Sequence, residues 1–367
     1  MLKRNKLEQW YENKACQYDI SECGMVNTIE LSQLSKLEEL KHNSSIFDYA
    51  NSKGENDLIN AICGIYNCHE DNILITNGAV EALFIVLLSL IDKCRTITCQ
   101  IPCYNRLEHF LKKVRCEIKY FELKSNFNFN FDFEQFKSSF YGNSNLAILS
   151  FPNNPTGCEL KDNDYVDIIN YAENNQKILV FDETAALSVN GTYIERNIQH
   201  HLNNCICINS MSKAYGVPGI RVGWIVASKT IIEECQAAKE LVSICTPPLL
   251  QKMAFDILQN RNYIISNNKR IVHENVTFLK QHFQKYNSSF VINCIPENGM
   301  CCLIRVPNAV NDYEFCLKLY EEYNVLLAPG KCFGLGGYFR LGLGVDPNLF
   351  GDALKMLDMF IKMYCKA

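Results

Sequence analysis

Asn209-Ser210-Met211-Ser212-Lys213-Ala214-Tyr215-Gly216-Val217-Pro218-Gly219-Ile220-Arg221-Val222-Gly223-Trp224 is the stretch from which the rest of this chain can be read. It sets two hydroxyls beside a lysine, follows them with a turn rich in glycine and proline, and then supplies an arginine. An unperturbed ammonium titrates at about 10.4 and is a poor nucleophile at neutral pH, so a lysine that must form an imine needs burial or a neighbouring cation. Arg221 is such a cation. Guanidinium forks and hydroxyls are also anion ligands, and glycine lets the backbone approach a bound group, so Ser210, Ser212 and Arg221 suit a phosphate. A lone lysine on a loop would carry no message. Here one segment offers an amine for a carbonyl and a clamp for a phosphate, the two ends of pyridoxal phosphate.

Upstream, Asn72-Ile73-Leu74-Ile75-Thr76-Asn77-Gly78-Ala79-Val80-Glu81-Ala82-Leu83 reads as a short strand, a glycine turn and the start of an apolar helix ending near Ile91. The first N–H groups of a helix lack intrahelical partners and its dipole favours negative charge there. Gly78, Ala79 and Val80 are therefore candidates to complete the phosphate site. Strand, glycine and helix are a common succession, and this one gains weight from standing in the same chain as Lys213 and Arg221.

Between these stretches, β-rich runs alternate with helical patterns, as in an α/β fold. Thr96–Ile101 ends in Pro102-Cys103-Tyr104, where Tyr104 can stack on a flat heteroaromatic ring. Strands follow at Ile118–Leu123 and Leu146–Phe151. The second runs into Pro152-Asn153-Asn154-Pro155-Thr156-Gly157, a tight turn in which Asn154 can present an amide to a phenolic oxygen. After a helix at about Asp162–Asn174, the run Ile178-Leu179-Val180-Phe181-Asp182 closes on a carboxylate. Burying it is costly unless it meets a cation or donor, and a protonated pyridine nitrogen would serve. Cys205–Asn209 leads to Lys213, and Val222–Ala227 leaves Arg221. Five strands thus lead to a candidate ligand, Gly78, Tyr104, Asn154, Asp182 and Lys213, and in open α/β sheets ligands gather at the carboxyl ends of strands.

Leu249 to about Lys285 is one long helical pattern, and Phe290–Ala367 reads as α+β. Its strands are expected near Phe290 and at Cys301–Val306, Val325–Ala328 and Tyr338–Leu343, with a closing helix from Leu349. Arg340 either holds a substrate carboxylate bidentately or is an ordinary edge-strand arginine. At the other end, Leu7–Leu40 reads as helix, loop and second helix, and the loop sets the acids Asp19 and Glu22 beside Gly24. Alone, that loop is a solvated turn.

Composition narrows the function classes. At 367 residues the chain can bury a large core, and a net charge of −4 with no basic run gives nucleic acid no footprint. No stretch of about 20 apolar residues suggests a membrane span, and no apolar run follows the basic start, so a cytosolic protein is expected. The 19 cysteines include no C-x-x-C, and Cys205/Cys207 and Cys301/Cys302 sit in apolar strand-like runs. Free thiols acting as small hydrophobes are expected, with no metal site and no disulfide scaffold.

As a set, these motifs resemble the fold type I pyridoxal-phosphate enzymes of the class I/II aminotransferase superfamily, over nearly the whole chain. The resemblance implies a large α/β domain at 45–285, with a mostly parallel seven-stranded sheet between helices. It implies a small α+β domain at 286–367, which residues 1–44 join. By resemblance, Lys213 carries the cofactor, Asp182 pairs with the pyridine nitrogen, Asn154 contacts the 3′ oxygen and Tyr104 stacks on the ring. Gly78, Ala79, Ser210 and Arg221 would hold the phosphate. Tyr49 matches the family tyrosine that reaches the neighbouring subunit's phosphate, which implies a homodimer with shared sites, and Arg340 matches the arginine for the α-carboxylate.

One position departs from the family's D-x-A-Y, whose tyrosine donates to the 3′ oxygen: here Asp182-Glu183-Thr184-Ala185 ends in alanine. A narrower resemblance rests on Trp10-Tyr11, on Tyr18-Asp19-Ile20-Ser21-Glu22-Cys23-Gly24 and on Asp182-Glu183-Thr184. These are similar to capreomycidine synthase-like enzymes, which cyclise hydroxylated arginine instead of transaminating. In that reading Asp19 or Glu22, beside Gly24, faces the substrate's guanidinium. The alternatives are an ordinary aminotransferase using a 2-oxo acid and a binding module without catalysis, against which the intact Lys213 speaks.

Overall fold

Most of the apolar runs become strands of one sheet in the computed structural model, which describes residues 4–30, 34, 47–104, 108–284, 290–307 and 310–364. After the two-residue β1 (Tyr18–Asp19) come β2 (Ile73–Thr76), β3 (Thr96–Ile101), β4 (Glu117–Glu122), β5 (Ser144–Ser150), β6 (Ile178–Asp182), β7 (Cys205–Ser210) and β8 (Gly223–Val226). The large sheet has seven strands in the order β2-β8-β7-β6-β5-β3-β4. Every pairing in it is parallel except the two made by β8. Side chains alternate between two cores, as a sheet buried on both faces requires. Leu146, Ile148, Val180, Ile206 and Ile208 join one core, and Ala147, Leu149, Leu179, Phe181, Cys205 and Cys207 the other. Cys205 and Cys207 thus act as small apolar residues, and the described cysteines are free thiols.

Strand order reverses between β3 and β5, since β4 lies outside β3 while β6 and β7 run the other way. Such a switch point leaves a crevice at the carboxyl ends of the strands. Tyr104, Asn154 and Asp182 all lie at or just beyond those ends.

A second sheet is antiparallel: β9 (Val291–Ile292), β10 (Cys301–Arg305), β12 (Ala328–Pro329) and β13 (Tyr338–Gly342), ordered β12-β13-β10-β9. The short β11 (Val325–Leu326) pairs in parallel with β1, tying the N-terminal segment to the C-terminal region.

Three expectations are corrected. The strand expected over Val325–Ala328 is interrupted at Leu327, whose carbonyl accepts the Trp10 indole N–H at 2.8 Å, and its halves join different sheets. The single helical pattern from Leu249 is two helices, Pro248–Gln259 and Arg261–Phe283, broken at Asn260, whose side-chain amide donates to the Asp256 carbonyl at 3.3 Å. Arg340 is not on an edge strand, because β13 lies between β12 and β10. The domain boundaries expected at 44/45 and 285/286, and most of the second helix expected before residue 40, lie outside the described residues.

Candidate active site

The phosphate corner is built by close backbone approach. Gly78 caps the helix Ala79–Leu90 at φ 89°, in the left-handed half of the map, and a Cβ there would lie 2.5 Å from Nη2 of Arg221. Arg221 donates from Nη1 to Ser212 Oγ at 3.3 Å and to the Pro218 carbonyl at 3.0 Å, and from Nη2 to the Asn77 carbonyl at 3.3 Å. Ser210 Oγ accepts from the Ser212 amide at 3.3 Å. The guanidinium, both hydroxyls and the start of the helix therefore meet at one corner of a cavity of about 510 Å³, whose wall includes Ala79, Val80, Ser210, Ser212 and Arg221.

The same cavity is lined by Lys213, Asp182, Asn154 and Tyr104, so the strand-end ligands do converge. Asp182 Oδ1 accepts from the Thr184 amide at 3.0 Å and from its hydroxyl at 2.6 Å. Burial pushes the Asp182 carboxyl above the usual range, and the two Thr184 bonds pull it back. The Asn154 carbonyl accepts from the Tyr104 amide at 3.0 Å, and its Oδ1 accepts from Arg340 Nη1 at 2.8 Å, which leaves the Nδ2 donor for another group.

Lys213 Nζ lies 3.5 Å from Glu22 Oε2. Beside them the Gly24 backbone passes so close that a Cβ would sit 3.2 Å from Lys213 Cδ. Arg340 is only 1% exposed and stands behind the wall. It donates from Nε to the Ser21 carbonyl at 2.9 Å and from Nη2 to the Tyr11 hydroxyl at 2.7 Å. Burial pushes the Tyr11 hydroxyl well up, so it stays neutral beside that guanidinium.

Two residues named from sequence are elsewhere. Asp19 does not line the cavity, and its Oδ1 accepts from the Ser21 amide at 3.0 Å and hydroxyl at 2.6 Å. Tyr49 is 83% exposed and is off the cavity of its own chain.

Two residues on the wall were missed. Glu8, on the helix Lys6–Tyr11, accepts from the Tyr104 hydroxyl at 2.8 Å. The pattern of that helix shows a buried Leu7 and Trp10 but gives no sign of what its polar side meets. Thr184 was read only as part of a motif, although Ser or Thr two residues beyond an Asp can bond back to it.

The donor set fits pyridoxal phosphate: an amine at Lys213, a carboxylate at Asp182, and an anion corner whose Gly78 cradle any Cβ would fill. When bound, that group supplies an aldehyde carbon and an electron-accepting ring.

The chain matches the sequence profile of the family described as Aminotransferase class I and II over residues 20–357, and it belongs to that family. It is a pyridoxal-phosphate-dependent enzyme of the aminotransferase family. Capreomycidine synthase of Streptomyces vinaceus is 22% identical over 271 residues, covering 74% of this chain and 69% of that protein. L-aspartate:5-guanidino-3-methyl-2-oxopentanoate transaminase of Pseudomonas syringae pv. syringae is 24% identical over 343 residues, 88% of this chain and 84% of that one. The crystal structure of a PLP-dependent aminotransferase from Streptococcus suis 89-1591 shares the fold at a TM-score of 0.90 and 23% identity, covering 99% of this chain and 98% of that chain. Among the described residues no helix is long and apolar enough to cross a membrane.

Proposed function

We propose that the enzyme cyclises a hydroxylated arginine, with loss of water, to a cyclic guanidino amino acid. The observation that carries this reading is the carboxylate of Glu22, 3.5 Å from the reacting amine of Lys213. A carboxylate beside the reacting atoms suits a substrate whose own side chain is cationic, and a guanidinium is the cation that best matches a carboxylate fork. Glu22 itself is not on the cavity wall; Glu8 is, and adds a carboxylate there in addition to Asp182. Ala185 supports the reading as well, since it offers no hydroxyl where the family pattern D-x-A-Y has a tyrosine. The likeness to capreomycidine synthase points the same way, and the likeness to a guanidino-acid transaminase favours the same side-chain class.

In this reading Lys213 takes the Cα proton and later returns it. The side-chain hydroxyl leaves as water with the proton that a guanidine nitrogen gives up on bonding to carbon, so the α-amine is retained. Arg340 and Asn154, with Gly24 alongside, would hold the α-carboxylate; Asp182 would face the pyridine nitrogen, Asn154 Nδ2 the 3′ oxygen, and Tyr104 the ring face. Gly78, Ala79, Val80, Ser210, Ser212 and Arg221 would take the phosphate.

Tyr49 would reach the partner's phosphate in a homodimer. Support comes from an apolar surface on that side: Phe47 (87%), Tyr49 and Leu241 (85%) are exposed. Gln236 and Glu240 both hold the Ser52 hydroxyl, so the Tyr49 segment and the helix carrying Leu241 share one face. The free thiols favour a cytosolic setting.

A second reading, an ordinary aminotransferase, is favoured by Lys213, Asp182 and the Arg340–Asn154 pair, which serve transamination equally well. The deciding experiment is incubation with a hydroxyarginine and no oxo acid. A product lighter by one water that keeps its amine supports cyclisation. A 2-oxo acid formed once per active site, with further turnover only after an oxo-acid acceptor is added, overturns it in favour of the aminotransferase.

A further inference from the structure

Asp182 is held unevenly. Both hydrogen bonds to its carboxylate, from the Thr184 amide at 3.0 Å and hydroxyl at 2.6 Å, fall on Oδ1. Among the described residues no donor engages Oδ2, and both Asp182 and Thr184 line the cavity. We propose that Thr184 is a positioning residue whose hydroxyl caps one oxygen of Asp182, fixing the carboxylate so that the other oxygen is left for the cofactor's pyridine nitrogen. The proposal rests on Asp182 being the partner of that nitrogen.

The physical argument has two parts. A carboxylate at a strand end can rotate about its last bond, and a donor fixed at 2.6 Å removes that freedom; threonine is suited to this because its β-branch restricts the side chain to few rotamers. Hydrogen bonds to the charged form also favour it, against the burial that pushes Asp182 up. Two titratable groups sense Asp182: Glu183, next in the chain, and Cys207 on the neighbouring β7. Burial pushes both up, toward the uncharged form. The charged side chains on the cavity side are Lys213, Arg221 and Glu8. Thr184 is therefore the neighbour that steadies the Asp182 charge from within the protein. Ala185, next along, contributes no polar group.

The test is the equilibrium affinity of the apoprotein for pyridoxal phosphate, followed by fluorescence against pH, a readout separate from turnover. Thr184→Val keeps the shape and removes the hydroxyl, and Thr184→Ala replaces it if the valine variant does not fold. The expected result is an affinity loss on the order of tenfold at pH 7. The acid limb of the affinity profile should also move to higher pH, because an Asp182 with fewer donors protonates sooner as pH falls. Thr184→Ser should restore both. Asp182→Asn is run alongside. If Asp182→Asn weakens binding while the valine and alanine variants bind as wild type with an unmoved acid limb, the role of Thr184 is overturned. Thr184→Ser behaving like valine also overturns it, since a hydroxyl at this position would then bring no gain. If Asp182→Asn has no effect either, the pairing of Asp182 with the ring fails and takes the proposal with it.

Discussion

Arg340 Nη1 donates to Asn154 Oδ1 at 2.8 Å, and this one bond joins β13 of the small sheet to the turn after β5 of the large one. It decides which end of the Asn154 amide remains available for a bound group. Arg340 makes it while also holding the Ser21 carbonyl and the Tyr11 hydroxyl, a geometry that only a planar guanidinium can span. Arg340→Lys is therefore expected to lower kcat/KM for α-amino acids by roughly 10- to 100-fold, the worth of one or two charge-assisted bonds. Steady-state kinetics checks this, and near-normal kcat/KM in the lysine variant would contradict it.

The purified protein should be yellow. Borohydride reduction followed by peptide mapping should place the pyridoxyl group on Lys213, and label on any other lysine would remove the site assignment.

Glu22→Gln should hurt guanidino substrates selectively. The Glu22 side chain is 50% exposed, so solvent screening limits the loss to about tenfold in kcat/KM, while simple amino acids change little. Asp19→Asn should be nearly silent toward the substrate, because that carboxylate is engaged by Ser21. Equal losses on both substrate classes would argue against guanidinium recognition by Glu22.

Tyr49→Phe should speed the loss of pyridoxal phosphate without changing the fold, since a hydrogen bond to a charged phosphate contributes roughly 1.5–3 kcal/mol. Gel filtration with absorbance detection follows both retention and assembly. A fully active monomer in dilute solution would rule out the shared site.

Lys239 is fully buried, and its Nζ donates to the Ser52 carbonyl at 2.5 Å. Burial lowers its pKa from 10.5 to about 8, opposed by Glu81. Below about 8 the amine is charged in the folded and the unfolded chain, and the folded state carries the cost of burying it. As pH rises from about 8 toward 10.5 the folded state sheds the proton first, so stability is gained. Relative to Lys239→Met, the wild-type apoprotein should gain up to about 3 kcal/mol between pH 7 and pH 10.5 in urea unfolding. A gap between the two proteins that does not move with pH would refute the burial argument.

What could be read in the sequence was local. Thr96–Ile101 and Asp162–Asn174 have the bounds expected of them, because β-branched alternation and an apolar helical period are written in consecutive residues. The ligands at strand ends were legible for the same reason: each follows its own strand directly. Partners that meet only through the fold were not legible. Nothing near Glu8 signals Tyr104, and nothing near Leu327 signals the Trp10 indole that divides its strand. Glu22 was named for a substrate, yet its place beside Lys213 depends on β1 finding β11 and on Gly24 fitting against the lysine stem.

The bond between the Trp10 indole and the Leu327 carbonyl spans 317 residues, and the pairing of β1 with β11 is nearly as long. During synthesis at roughly 5–20 residues per second, the N-terminal segment waits on the order of 15 s to a minute before its partners leave the ribosome. The large sheet can assemble in that interval, but β1 has no strand to pair with until β11 emerges. The chain is therefore unable to finish its catalytic chamber until β11 has been made, and cofactor capture follows that step of biogenesis.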